Sequence, residues 1–265
     1  MPVDTLAEAV RQQLSLGRLL PLGDAADAAW ITESAAVAVL LRAVEDLRGV
    51  RTEELRLSQD PDDAGEPAVE PPPSALPPGP LRLTATLSAS GAEPFPAAAE
   101  RLRTALLAAA DERLGLRVHA ADLEVVGMLD AEEDAGGERR APDGPTSART
   151  AEVHGPGASP DSGDDDGGRQ GLAAAVTAAV RAVPGVADTS SRLGSALRRL
   201  GLRDEEVTVE PGPDGQGGHL LVQLATRPGH GPLDTARAAR TAALDAAAAR
   251  GASATAAVLV TDIGA

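Results

Sequence analysis

Apolar and polar positions alternate along this chain in two rhythms, and each rhythm predicts an element. Residues 81–87 (Leu-Arg-Leu-Thr-Ala-Thr-Leu) alternate strictly, the signature of a strand with one buried face. Residues 97–114 carry Leu102, Leu106, Ala109 and Arg113 on one helical stripe and stop at Gly115. Around them the pattern predicts a helix over 34–47 ending at Gly49-Val50, a strand over 51–57 and a closing strand over 123–129. The same order returns further on. A helix over 172–183 stops at Pro184-Gly185-Val186, and residues 203–209 repeat the wording of 51–57. A strand over 219–226, a helix over 234–250 ending at Gly251, and a strand over 256–263 follow. A short extra helix is expected at 190–200 and a hairpin turn at 212–218.

The fold class expected is therefore α+β, with two tandem α-β-β-α-β units at 31–130 and 171–265. Each unit is expected to be a three-stranded sheet with two helices on one face. Arg103-Thr104-Ala105 and Arg113 match Arg240-Thr241-Ala242 and Arg250 at one offset, which points to an internal duplication. Residues 1–30 are expected to be an N-terminal helix and connector. Val3, Leu6, Val10 and Leu14 share one face of a helix over 3–16, with Gly17 as its stop. That helix either packs on the first unit or docks on a partner through Leu6, Val10 and Leu14.

Two stretches break the periodicity. Residues 60–80 are acidic and hold eight prolines, which cannot supply the donors a sheet needs. Residues 131–170 hold ten carboxylates, eight glycines and a single Val, Leu, Ile or Phe. Both are expected not to fold, the second as a disordered acidic linker.

Composition sharpens this picture. The 265 residues contain 54 Ala and 33 Leu but only Phe95 and Trp30 as aromatics, and no Lys, Asn, Tyr or Cys. That bias follows a GC-rich coding sequence. Without cysteine there is no disulfide, thiolate metal site or Cys nucleophile. A net charge of −16 repels nucleic acid and anionic lipid. The longest apolar run, residues 35–41, is too short to span a membrane, and no signal peptide is visible. A cytoplasmic protein is the expectation.

Chemistry is scarce. His119, His154, His219 and His230 have no metal-ligand spacing and read as solvated strand-end or loop residues. The acidic run from Asp161 fails the calcium-loop pattern, because its third, sixth and twelfth positions hold Gly163, Asp166 and Leu172 instead of an oxygen ligand, Gly and Glu. The glycines at 212–218 precede a strand, not a helix, so they do not form a phosphate loop. Glu53-Glu54 and Glu205-Glu206 suit solvation at strand starts. No enzyme is expected, no cofactor and no metal. The open polar face of the first sheet (Arg82, Thr84, Thr86) and its unpaired edges are the candidate partner surface.

The wording of both units resembles the alkaline-shock-protein family of bacterial envelope stress proteins. The stretches that carry the likeness are Ile31-Thr32-Glu33, Leu47-Arg48-Gly49-Val50, Leu114-Gly115-Leu116, Leu129-Asp130, Val183-Pro184-Gly185-Val186 and Thr261-Asp262-Ile263. The tandem form departs from the usual single copy, and the second strand lacks the family's polar and aromatic residues. The chain also resembles an actinobacterial group labelled after a nucleopolyhedrovirus protein family, a label without functional content. The resemblance implies a non-enzymatic scaffold or adaptor in the envelope stress response. It implies self-association and a small integral membrane protein as anchor, peripheral at the inner face of the membrane. The alternative is a regulatory protein that binds nucleic acid or a small ligand.

Overall fold

The computed structural model describes residues 18–59, 61–129, 164–187, 207–211 and 218–264. The strands are β1 (Leu19–Leu22), β2 (Ala29–Thr32), β3 (Val50–Ser58), β4 (Leu81–Ser90), β5 (Val118–Leu129), β6 (Val207–Pro211), β7 (Gly218–Thr226) and β8 (Ala254–Ile263). The helices are α1 (Glu33–Val44), α2 (Phe95–Ala109), α3 (Asp164–Arg181) and α4 (Pro232–Ala248). A single π turn, Ala110–Leu114, prolongs α2 up to Gly115. The class is α+β.

Strands β3, β4 and β5 form one sheet in that order, and β1-β2-β8-β7-β6 form the other. In the first, β3 runs antiparallel to β4 and β4 parallel to β5. In the second, β6 runs antiparallel to β7 and β7 parallel to β8. Parallel neighbours need a long crossover, and α2 and α4 supply it.

The second sheet has five strands, not three. Residues expected to be a connector form a hairpin, β1–β2, and β2 lies parallel to β8 with Ala29, Trp30 and Ile31 beside Val258, Leu259 and Val260. Apolar residues at consecutive positions of β2 suit a strand buried on both faces. The predicted helix over 3–16, with Leu6, Val10 and Leu14, lies outside the described residues, as do the predicted helix over 190–200 and the hairpin turn at 212–217.

The proline-rich loop is ordered, contrary to expectation. Leu76 N donates to Leu19 O at 2.9 Å, and Trp30 Nε1 donates to Leu76 O at 3.0 Å. Val69 and Ala75 pack on a cluster of Leu19, Ala28, Trp30, Ala257 and Leu259. Proline removes donors, but the loop's donor to β1 is the non-proline Leu76, which also accepts from Trp30, and the rest serves as apolar cover. Its restricted backbone also loses little entropy on ordering. The predicted linker is shorter than expected at its end, because residues 164–170 belong to α3. Residues 131–163 lie outside the described residues.

One core serves both sheets. Leu40, Leu57, Leu83 and Leu102 belong to the same cluster as Val176, Val222, Ala239 and Val258. Helix α2 buries Ala98, Leu102, Leu106 and Ala109. Helix α4 buries Ala236, Ala239, Ala243 and Ala247, a stripe small enough for α3 to lie close against it. The junction is tight: a Cβ on Gly115, whose φ is +75°, would meet Leu233 Cδ2 at 2.7 Å.

Candidate interaction surface

Strand β4 turns Leu81, Leu83, Ala85 and Leu87 into the core and leaves Thr84 exposed and Arg82 and Thr86 half-buried on the other side. Register then fixes their neighbours. Thr84 lies between Arg56 and Asp122, and Thr86 between Glu54 and Glu124. These residues line a shallow depression of about 260 Å³ on the open face. Arg82, Thr84 and Thr86 were thus rightly expected on one face. Their charged neighbours were not foreseen, because strand pairing is not written in local pattern.

The surface is acidic and partly self-paired. Arg56 Nε donates to Glu54 at 2.6 Å and Arg82 Nη1 to Asp122 at 2.7 Å. Glu124 has no ion-pair partner among the described residues. Further along, a bulge between Thr52 and Glu54 lets Glu53 reach Ser88, whose hydroxyl donates to Oε1 at 2.8 Å. That bond, and a second from Arg51, hold the Glu53 carboxyl below the usual carboxylate range. A carboxylate so stabilised is a poor base for the Ser88 hydroxyl, so the pair acts as a strap between β3 and β4.

The histidines separate. His119 and His230 are exposed, but His219 is 5% exposed and not solvated as expected. Its Nδ1 lies 2.8 Å from Thr255 Oγ1, across the β7–β8 pair. His154 lies outside the described residues. Among the described residues no group of three His, Asp or Glu could hold a metal ion, and no helix is long and apolar enough to cross a membrane.

The sheet edges differ in how they are covered. At β3, Leu57 N donates to Glu33 Oε1 at 3.2 Å and Leu57 O accepts from Arg18 Nη1 at 3.1 Å. At β1, the proline-rich loop covers Leu19. On β5, Ala121 O accepts from Arg103 Nε at 3.1 Å, and beyond it no strand pairs with the outer edge among the described residues. Val126 and Met128 on this strand are 55% and 68% exposed. Comparison with models of known protein families, with curated proteins and with solved structures returned no match.

Proposed function

We propose that this chain is a non-enzymatic scaffold or adaptor associated with the cell-envelope stress response, built from two copies of an α-β-β-α-β unit. The observation that carries the reading is an asymmetry between the sheets. The face of the five-stranded sheet around Trp30 is covered by the proline-rich loop, and its β8 edge by β2. The three-stranded sheet keeps an open face and a free β5 edge. An unpaired strand edge is a template for another chain.

Duplication is supported by matching pairings and by matching side-chain bonds, with Arg103 and Arg240 each reaching the last strand of its sheet. The envelope assignment rests on the resemblance of Leu47-Arg48-Gly49-Val50 and Val183-Pro184-Gly185-Val186 to the alkaline-shock-protein family. In this reading the protein is cytoplasmic, self-associates, and sits at the inner face of the membrane through a small integral anchor protein. Glu54, Asp122 and Glu124 on the open face disfavour nucleic acid as its occupant.

The test is affinity capture from envelope-stressed cells in mild detergent, comparing the full chain with one lacking residues 1–17. Recovery of a small integral membrane protein supports the reading, and its loss on truncation assigns the docking to Leu6, Val10 and Leu14. Recovery of RNA or a soluble enzyme without any membrane protein overturns the envelope assignment in favour of a regulatory ligand-binding protein.

A further inference from the structure

We propose that the outer edge of β5 receives an extended peptide segment of a partner protein, added parallel to the strand, whose side chains alternate between apolar and basic. The inference rests on the scaffold reading and specifies the chemistry of the partner.

The second sheet displays the template. There, Arg240 Nε donates to Ala256 O at 3.1 Å, and two residues later β2 begins its pairing at Val258, Leu259 and Val260. In the first sheet, Arg103 donates to Ala121 O at the same distance. The residues in the corresponding places are Leu123, Glu124 and Val125, and among the described residues no strand lies beside them. The edge that holds a strand in one sheet is open in the other.

The same alignment specifies what the segment must carry. Beside β8, Ala29 and Ile31 join the main core, while Trp30 packs with Leu259 on the opposite face. Leu123 and Val125 are half-buried against the main core, so the flanking residues of an added strand on that side are apolar. Leu259 is replaced by Glu124, which has no ion-pair partner among the described residues. The residue in the place of Trp30 is therefore a cation, placed next to Glu124. An unpaired carboxylate at a partly covered strand gains most from an opposite charge brought in with the strand.

A second copy of the chain fits less well. Two β5 strands pairing antiparallel about Leu123 would set Asp122 opposite Glu124 twice, and like charges directly opposed destabilise a sheet.

The test uses the full-length protein and two fluorescein-labelled peptides, one alternating Val and Arg and one alternating Val and Glu. Anisotropy is read at low salt and at about 0.15 M, where surface charge is screened within about 8 Å. The Val-Arg peptide is expected to bind at both salt levels and to slow amide hydrogen exchange at residues 123–125, and the Val-Glu peptide is expected not to bind. Glu124→Arg should weaken Val-Arg binding by about tenfold or more, whereas Glu112→Arg, an exposed acid outside this sheet, should leave it within about twofold. Equal binding of both peptides, indifference to Glu124→Arg, protection elsewhere, or sedimentation as a β5-linked dimer would overturn the proposal. If the peptides fail while capture still recovers a membrane protein, the edge assignment falls and the scaffold reading stands. If both fail, the scaffold reading falls as well.

Discussion

Arg103 and Arg240 make the same hydrogen bond in two different sheets: each donates Nε from the crossover helix to a carbonyl of the last strand, Ala121 or Ala256, at 3.1 Å. The residues that follow them agree too, since Thr104 and Thr241 each donate a hydroxyl to the carbonyl four residues back. Each arginine thus pins its helix to the strand that helix leads into. Arg103→Met and Arg240→Met should each lower stability by about 1.5 kcal/mol, the low end of the range for a hydrogen bond to a charged group, because both side chains are partly exposed. Because they bond into different sheets and share no partner, their effects should add. Urea denaturation of the two single variants and the double variant checks this, and a cost confined to one arginine would break the equivalence.

Asp27 ties the β1–β2 hairpin to α4 through two bonds from Arg237, at 2.7 and 3.0 Å. The Arg237 bond is the main reason its carboxyl lies below the ordinary value of 3.8. A carboxyl with a lowered folded-state pKa stabilises the fold above its unfolded value, and loses that contribution as pH falls through the folded one. Asp27→Asn should therefore cost stability at pH 5 to 7, and the gap to the parent should close below about pH 4. Arg237 is half-exposed, so the cost should stay near 0.5–1 kcal/mol. Melting temperatures of the two proteins across pH 2.5–7 give the answer.

Gly115 and Gly251 end α2 with its π turn and α4 with nearly the same φ, +75° and +72°, but only the first is enclosed. At Gly251 an added Cβ would meet nothing within 4 Å, so Gly251→Ala should cost only the left-handed backbone penalty, about 1–2 kcal/mol. Gly115→Ala adds contacts at 2.7 and 2.8 Å with Leu233 and should cost distinctly more. A double-mutant cycle of Gly115→Ala with Leu233→Ala isolates the clash with Leu233 Cδ2, because alanine removes that atom but keeps the Cβ contact and leaves the backbone strain unchanged.

The single tryptophan makes the proline-rich loop directly observable. Trp30 is 1% exposed beneath it, so its fluorescence should be blue-shifted in the native protein. Ser58 and Arg82 are paired neighbours on β3 and β4, so a short turn can replace residues 60–79 without breaking that hairpin. The shortened protein should show red-shifted, readily quenched Trp30 emission and a lower melting temperature. Unchanged emission would mean that the loop is not what shields the ring. Trp30→Phe should cost about 1 kcal/mol beyond the smaller ring, because the Leu76 carbonyl loses its donor.

Much of this was legible wherever one element's environment is uniform along its length. The alternation of 81–87 gave both the strand and the facing of Arg82, Thr84 and Thr86, and the stripe of Leu102, Leu106 and Ala109 gave the buried side of α2. What stayed hidden depends on partners distant in sequence. Leu19–Leu22 and Ala29–Thr32 are four residues each, one containing Pro21, and they become strands through β8. The proline-rich loop looked unfoldable because its prolines cannot supply the donors a sheet needs, yet Val69, Ala75 and Leu76 meet a surface that only the finished sheet provides. His219 looked solvated at a strand start, and is buried with its Nδ1 2.8 Å from Thr255 Oγ1 across the β7–β8 pair. On the candidate surface, Glu124 and Asp122 gained meaning only from the register with Thr86 and Thr84.

The pairing of β2 with β8 also sets a timetable for synthesis. Residues 29–31 leave the ribosome long before residues 258–260, and their edge stays unoccupied until those residues are made. The three strands of the other sheet are all made by residue 129 and depend on nearer neighbours. Throughout elongation, Leu19, Trp30 and Ile31 are apolar groups without their final cover, a hazard for aggregation that ends only when the last strand docks. Closure of the five-stranded sheet thereby waits on β8: until that strand is made, Trp30 and Ile31 keep an unpaired edge.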